Sequence, residues 1–86
     1  MTAVVIKWSD SYGVSTGWQD IEDYQAEELI IESLGFVIHE NEKVIALAHN
    51  YARGTTLTPE QANGIMVIPK CSIKAITSCA FCPEPE

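Results

Sequence analysis

Basic residues are scarce in this chain: five lysines and arginines stand against twelve carboxylates in 86 residues, for a formal charge of −7. A surface of that sign repels a phosphate backbone, which excludes sequence-independent binding of duplex nucleic acid and favours basic partners. Long apolar runs are missing too. The stretch in "MTAVVIKWSD" is far too short for a signal peptide or a membrane span, and nothing later reaches the roughly 18 apolar residues a spanning helix needs. The expectation is a soluble protein made in a cytoplasm, without membrane contact. Cysteine is confined to Cys71, Cys79 and Cys82. An odd number without an export signal does not read as a disulfide framework, so reduced thiols are expected. "CAFC" at Cys79 to Cys82 is half a zinc site that Cys71 with His39 or His49 would have to complete. A second C-x-x-C is absent, as is the strand-helix setting of a redox pair, so neither metal nor cofactor is expected. His39 and His49 are placed in one hairpin near Glu40, able to face each other, but no nucleophile motif, Gly-rich phosphate loop or defined carboxylate pair accompanies them. Catalysis is therefore not expected.

What is present describes one small folded domain. Apolar residues make up 47% of the chain and charged ones 20%, which is a globular and not a disordered composition. A chain this short buries only somewhat more than roughly 60% of its unfolded surface, so the core must be thin.

Alternation from Val4 to Asp10 sets Val4, Ile6 and Trp8 on one face and predicts a first strand. "SYGVSTG" reads as a loop closed at Trp18, and the acid-rich run from Gln19 to Leu29 as a helical turn or an acidic loop. "LIIESLGFVIHE" is a bent strand, with Gly35 marking a bulge or a bend where another backbone passes close. Leu34 to Glu40 and Lys43 to Asn50 pair as a hairpin across Asn41-Glu42. Thr58-Pro59-Glu60-Gln61 carries the cap and the prolyl first position of a helical turn, which Asn63-Gly64 would end or lead into the next strand.

"GIMVIPKCSIKAI" then poses a problem, because an apolar run stops at Pro69 and restarts at Ile73. Pro69 has no amide hydrogen and its ring would clash inside a helix, so two strands joined by a 3₁₀ corner over Pro69 to Ser72 are expected. Five short strands without a long helix predict an all-β fold, a small five-stranded barrel or sandwich. Residues 1–78 form the domain, and 79–86, closing on "PEPE", a frayed tail.

The order "KWSDS", a loop closed by "GW", "SLGFVIHE", "KVIALA" and "MVIPKCSIKAI" resembles a family of small proteins of tailed phages and prophages with an SH3-like or Sm-like barrel. The resemblance runs from about Val4 to Thr77. It implies a phage origin, an accessory role and residence in the cytoplasm of the bacterial host.

Trp8, Tyr12 and Trp18, with Ser9, Asp10 and Ser11, form the most site-like group. Tryptophan offers a flat stacking face and one donor, suited to a base or to a partner's anchor residue. Trp8 shares a face with Val4 and Ile6 and belongs to the core; Trp18 is the exposed candidate. Lys70 and Lys74 flank the corner, and with Lys7 and Arg53 they would form an anion pocket only if several copies assembled. Six carboxylates between Asp20 and Glu32 suit docking on a basic surface. The leading expectation is a non-enzymatic protein that counters host defence as a homo-oligomer capturing a small nucleotide-type signal. Its site would comprise Asp10, Ser11, Tyr12, Trp18, Arg53, Lys70 and Lys74. The alternatives are an acidic decoy that inhibits a basic host protein, and a small virion assembly factor.

Overall fold

The computed structural model describes residues 2–14 and 16–79. Five strands, β1 (Ala3–Asp10), β2 (Leu29–Glu40), β3 (Val44–Ala52), β4 (Gln61–Pro69) and β5 (Ile73–Ser78), form one antiparallel sheet in the order β4-β3-β2-β1-β5. Two single 3₁₀ turns, Ile21–Asp23 and Lys70–Ser72, are the helical segments among the described residues. The all-β expectation and the corner after Pro69 therefore hold, and the sheet is open, with β4 and β5 as its two edges. Residues 80–86, and with them Cys82 and most of the expected tail, lie outside the described residues. Cys79 still belongs to the sheet's hydrogen bonding, its amide donating to the Ala3 carbonyl at 2.9 Å.

The corner shows how strongly this sheet must curl. In a flat sheet β4 and β5 would lie four strand spacings apart, about 19 Å. Yet they are joined by the three residues Lys70–Ser72, which in 3₁₀ geometry advance only about 2 Å each. The two edges must approach one another at that point. Pro69 fits there because it sits opposite Val44 while the next amide, of Lys70, donates to the Lys43 carbonyl at 2.8 Å. Alternation along an antiparallel ladder then turns the missing N–H of Pro69 away from β3, where no bond is lost.

Curling encloses the alternating apolar residues. Val4 and Ile6 of β1, Ile45 and Leu47 of β3 and Ile68 of β4 form the buried cluster, with Trp8, Val37 and Ile73 packed against it. Two polar links cross the same concave side: Trp8 Nε1 donates to Ser33 Oγ at 3.0 Å, and Ser33 Oγ approaches Met66 Sδ at 3.7 Å. They join β1, β2 and β4 although β4 is not a sheet neighbour of β2. Gly35 is buried, and a Cβ built on it would lie 2.8 Å from the Ala48 carbonyl oxygen. The close backbone approach expected at Gly35 is thus present, whereas the register shift between β2 and β3 falls between Val37 and His39.

Three local expectations are corrected. Thr58 to Gln61 is not a helical turn: Thr55 Oγ1 accepts the amides of Leu57 and Thr58 in a side-chain turn, and Gln61 already pairs with Ala52. The strand pairing of β4 outweighs the local capping pattern, because a four-residue turn offers too few bonds to compete with a ladder. Asn63-Gly64 accordingly lies inside β4, where Gly64 has a φ of +67°. His39 pairs with Ala46 while His49 packs its side chain beside Gly64, so the two histidines do not face each other. A Cβ on Gly64 would lie 3.0 Å from His49 Cβ on a backbone that L-residues rarely adopt. Gly64→Ala is therefore expected to cost about 1 kcal/mol, read from urea unfolding midpoints, and an unchanged midpoint would contradict this reading.

Beyond this core the chain reaches outward. The molecule measures 62 × 25 × 22 Å with a radius of gyration of 17.7 Å, against about 12 Å for a compact chain of this length. Every described residue from Asp10 to Ile30 is exposed, and no residue from His49 to Val67 is buried.

Candidate functional site

The segment between β1 and β2, residues 11–28, is the first of these outward regions. Its two ends are held together near the sheet: the Tyr12 hydroxyl donates to the Glu27 carbonyl at 2.6 Å, and the Ser11 amide donates to Asp10 Oδ1 at 2.9 Å. Gly13 turns the chain with a φ of +70°. At the opposite end, Glu28 receives Lys74 Nζ at 2.8 Å. The Lys74 ammonium, and after it a hydrogen bond from Ser9, holds the Glu28 carboxyl below its ordinary value.

Between these ties the loop presents apolar side chains to solvent. Trp18 is 103% exposed, Val14 and Ile21 are each 91% exposed, and Tyr12 and Tyr24 are also open. A concavity of about 690 Å³ is lined by Tyr12, Gly13, Val14, Gln19, Ile21 and Tyr24. A second, about 350 Å³, adjoins it through Gln19 and Tyr24 and brings in Trp18, Asp20, Asp23 and Gln25. Both are open to solvent at their mouths. The immediate electrostatic surroundings are anionic, with Asp20, Glu22, Asp23, Glu27 and Glu28 in the loop and no lysine or arginine between Lys7 and Lys43.

The seven expected site residues fall into two groups. Asp10, Ser11, Tyr12 and Trp18 share the loop or its base, and Lys74 reaches that base through Glu28. Lys70 is engaged instead with Glu40 at the other end of β2, at 2.6 Å. Arg53 follows the end of β3, on the second outward hairpin. Lys7 pairs with Glu32 at 3.7 Å. These pairs are largely exposed and contribute little to stability, but each places a carboxylate between its lysine and any incoming anion. Sequence reasoning missed Val14, Gln19, Ile21 and Tyr24 as lining residues. For Val14, Ile21 and Tyr24 the signal was available as isolated apolar side chains in and beside an acid-rich run, a pattern that costs solubility and stands out once no core claims them; Gln19 gave none.

The second hairpin carries a further open concavity of about 490 Å³ lined by Asn50, Tyr51, Ala52, Gln61, Ala62 and Asn63. Asn50 Nδ2 donates to Asn63 Oδ1 at 2.7 Å across the strands, and the Tyr51 hydroxyl donates to Glu60. That bond to a carboxylate raises the Tyr51 phenol above its ordinary value. Among the described residues no group of three or more His, Cys, Asp or Glu side chains is placed to hold a metal ion. No helix among them is long and apolar enough to cross a membrane. Compared with known protein families, characterised proteins and solved structures, the chain matches none of them.

Proposed function

We propose that this protein is a non-enzymatic binding module whose loop 11–28 docks on a basic protein surface. The observation that carries the reading is Trp18, fully exposed among carboxylates in a loop without a cation. A large aromatic held in water has no folding role, while at an interface it is the residue type that most often anchors a partner. The surrounding acids supply complementarity to lysine and arginine on that partner and speed the encounter. The open sheet is read as a small module of the SH3-like or Sm-like barrel kind, a reading supported by the short corner that draws its two edges together. The resemblance to phage accessory proteins gives this partner its setting: a protein of the bacterial host, inhibited by an acidic decoy in the host cytoplasm.

A second reading, capture of a small nucleotide-type host signal, is favoured by the tyrosine-lined concavity of about 690 Å³, which falls within the range of about 300 to 1,000 Å³ usual for small-ligand sites. It is the weaker of the two, since Lys70 and Lys74 are each held by a glutamate and Arg53 lies on another hairpin.

The two readings separate in one titration series. Lys- and Arg-rich amphipathic peptides, and in parallel cyclic di- and trinucleotides and cyclic ADP-ribose signals, are titrated by calorimetry into wild type and Trp18→Ala. Peptide binding that weakens with salt and falls about ten-fold or more in the variant, the loss expected for an interface anchor, supports docking. Nucleotide binding with indifferent peptides would replace it by the second reading.

A further inference from the structure

The 3₁₀ turn Ile21–Asp23 divides the surface chemistry of loop 11–28. The Asp23 amide donates to the Asp20 carbonyl at 3.2 Å, and the Tyr24 amide to the Ile21 carbonyl at 3.3 Å. With three residues per turn, side chains at i and i+3 stand one above the other. Asp20 and Asp23 therefore share one side of the turn, and Ile21 and Tyr24 the next. The two hollows follow this division. Asp20 and Asp23 line the smaller, of about 350 Å³, beside Trp18. Ile21 lines the larger, of about 690 Å³, with Tyr12 and Val14. Tyr24 stands between the hollows and belongs to both, whereas Glu22 lines neither.

The smaller hollow combines two features that favour a cation. The indole of Trp18 and the phenol of Tyr24 border it, and the face of an aromatic ring attracts positive charge. Beside them stand two carboxylates of like charge, and among the described residues neither has an ion-pair or hydrogen-bond partner for its side chain. The chain supplies no lysine or arginine between Lys7 and Lys43, so their counter-charge has to come from a partner. A guanidinium uses both features at once, because it is flat enough to stack on a ring and carries a fork of donors that reaches two carboxylates. An ammonium is a compact, strongly hydrated charge and matches neither as well.

We propose that this turn is a two-part receptor for a short extended segment of a partner protein, with an arginine in the smaller hollow and an apolar side chain two positions away in the larger. The proposal rests on the docking reading of loop 11–28 and names what the loop recognises. Because the hollows adjoin at Gln19 and Tyr24, their occupants come from neighbouring positions on one face of a single segment. In an extended chain those are residues i and i+2, about 7 Å apart. The apolar occupant covers Val14 and Ile21, each 91% exposed and outside the sheet's core. Two side chains seated in hollows make a short motif, which needs no domain-sized interface.

The test is a titration of the full chain with a capped peptide carrying Arg-Ser-Leu between Gly-Ser flanks, beside its Lys-Ser-Leu and Arg-Ser-Ser forms. Salt of about 150 mM shortens the reach of diffuse charge attraction to about 8 Å. The indole N–H signals, followed by nuclear magnetic resonance, distinguish the two tryptophans: that of Trp18 is expected to shift and that of Trp8 to stay. Replacing the peptide's arginine by lysine is expected to weaken binding about five-fold or more, and replacing its leucine by serine by a similar factor. Asp20→Asn with Asp23→Asn is expected to lose about ten-fold. Glu22→Gln with Glu27→Gln removes the same charge from the same loop but touches neither hollow, and should change affinity by less than about two-fold. The peptide substitutions leave the protein unaltered, so they decide the matter even if a double variant misfolds. Equal binding of the arginine and lysine peptides, with equal losses in the two double variants, would overturn the receptor and leave docking by diffuse charge standing. Indifference to all three peptides up to about 1 mM, an affinity of only about 4 kcal/mol, would overturn it too; if the Lys- and Arg-rich amphipathic peptides also fail to bind, the docking reading falls with it.

Discussion

Trp8→Ala is expected to lower stability by about 3 kcal/mol, near the lower bound for emptying a large aromatic position because Trp8 is partly and not fully buried. The indole packs on the cluster of Val4, Ile6, Ile45, Leu47 and Ile68, and its N–H is bonded to Ser33 Oγ. Truncation therefore removes apolar contacts and leaves Ser33 with only its long approach to Met66. For a domain of this size the loss corresponds to a melting temperature lower by roughly 10 to 20 °C. Total stability is only about 5 to 10 kcal/mol for so short a chain, so the variant should be partly unfolded under mild heating. Trp18→Ala is the matched control. Its ring touches water on all sides, and the melting temperature should stay within the change of about 0.5 kcal/mol usual for open surface positions. Equal shifts in the two variants, measured by calorimetric melting, would contradict the division between a core tryptophan and a docking one.

Gly35→Ala is expected to be costly for a different reason, at about 2 kcal/mol or more. No positive φ is involved at this position, so the cost is wholly steric. The added methyl would lie 2.8 Å from the Ala48 carbonyl oxygen and 3.3 Å from Leu47 Cβ. Neither is the mobile end of a side chain. Both are fixed in β3, the antiparallel neighbour of β2 in the sheet, and relief requires the strands to part, the usual cause of penalties of about 1 to 3 kcal/mol on overpacking. Gly17→Ala meets nothing within 4 Å and should leave the unfolding midpoint unchanged. A neutral Gly35→Ala in urea titration would mean that β2 and β3 do not approach as closely as described.

Much of this architecture was legible along the chain because it rests on local rules. Alternation placed Val4, Ile6 and Trp8 on one buried face, and the lack of an amide on Pro69 required a corner where the structure has the turn Lys70–Ser72. Trp18 read as the exposed tryptophan because it follows a glycine-rich loop and belongs to no alternating run. Where local signals competed with pairing, the sequence misled. Thr58 to Gln61 has a helical cap pattern, but Gln61 and Ala62 find partners in Ala52 and Tyr51, and only the tertiary arrangement brings those partners within reach.

Composition, the strand pattern, the corner and the anionic character of the Asp20 to Glu32 run were thus determined by the sequence alone, since each depends on residues near one another in the chain. The tertiary structure decided which charges neutralise which. Lys70 faces Glu40, Lys74 faces Glu28 and Lys7 faces Glu32 across separations of 30, 46 and 25 positions. No spacing rule encodes such pairs, because they arise from strand order and register. It also decided that the sheet stays open with β4 and β5 as its edges, for an edge is defined by the partner a strand lacks, and strand order belongs to the whole fold and not to any segment of it.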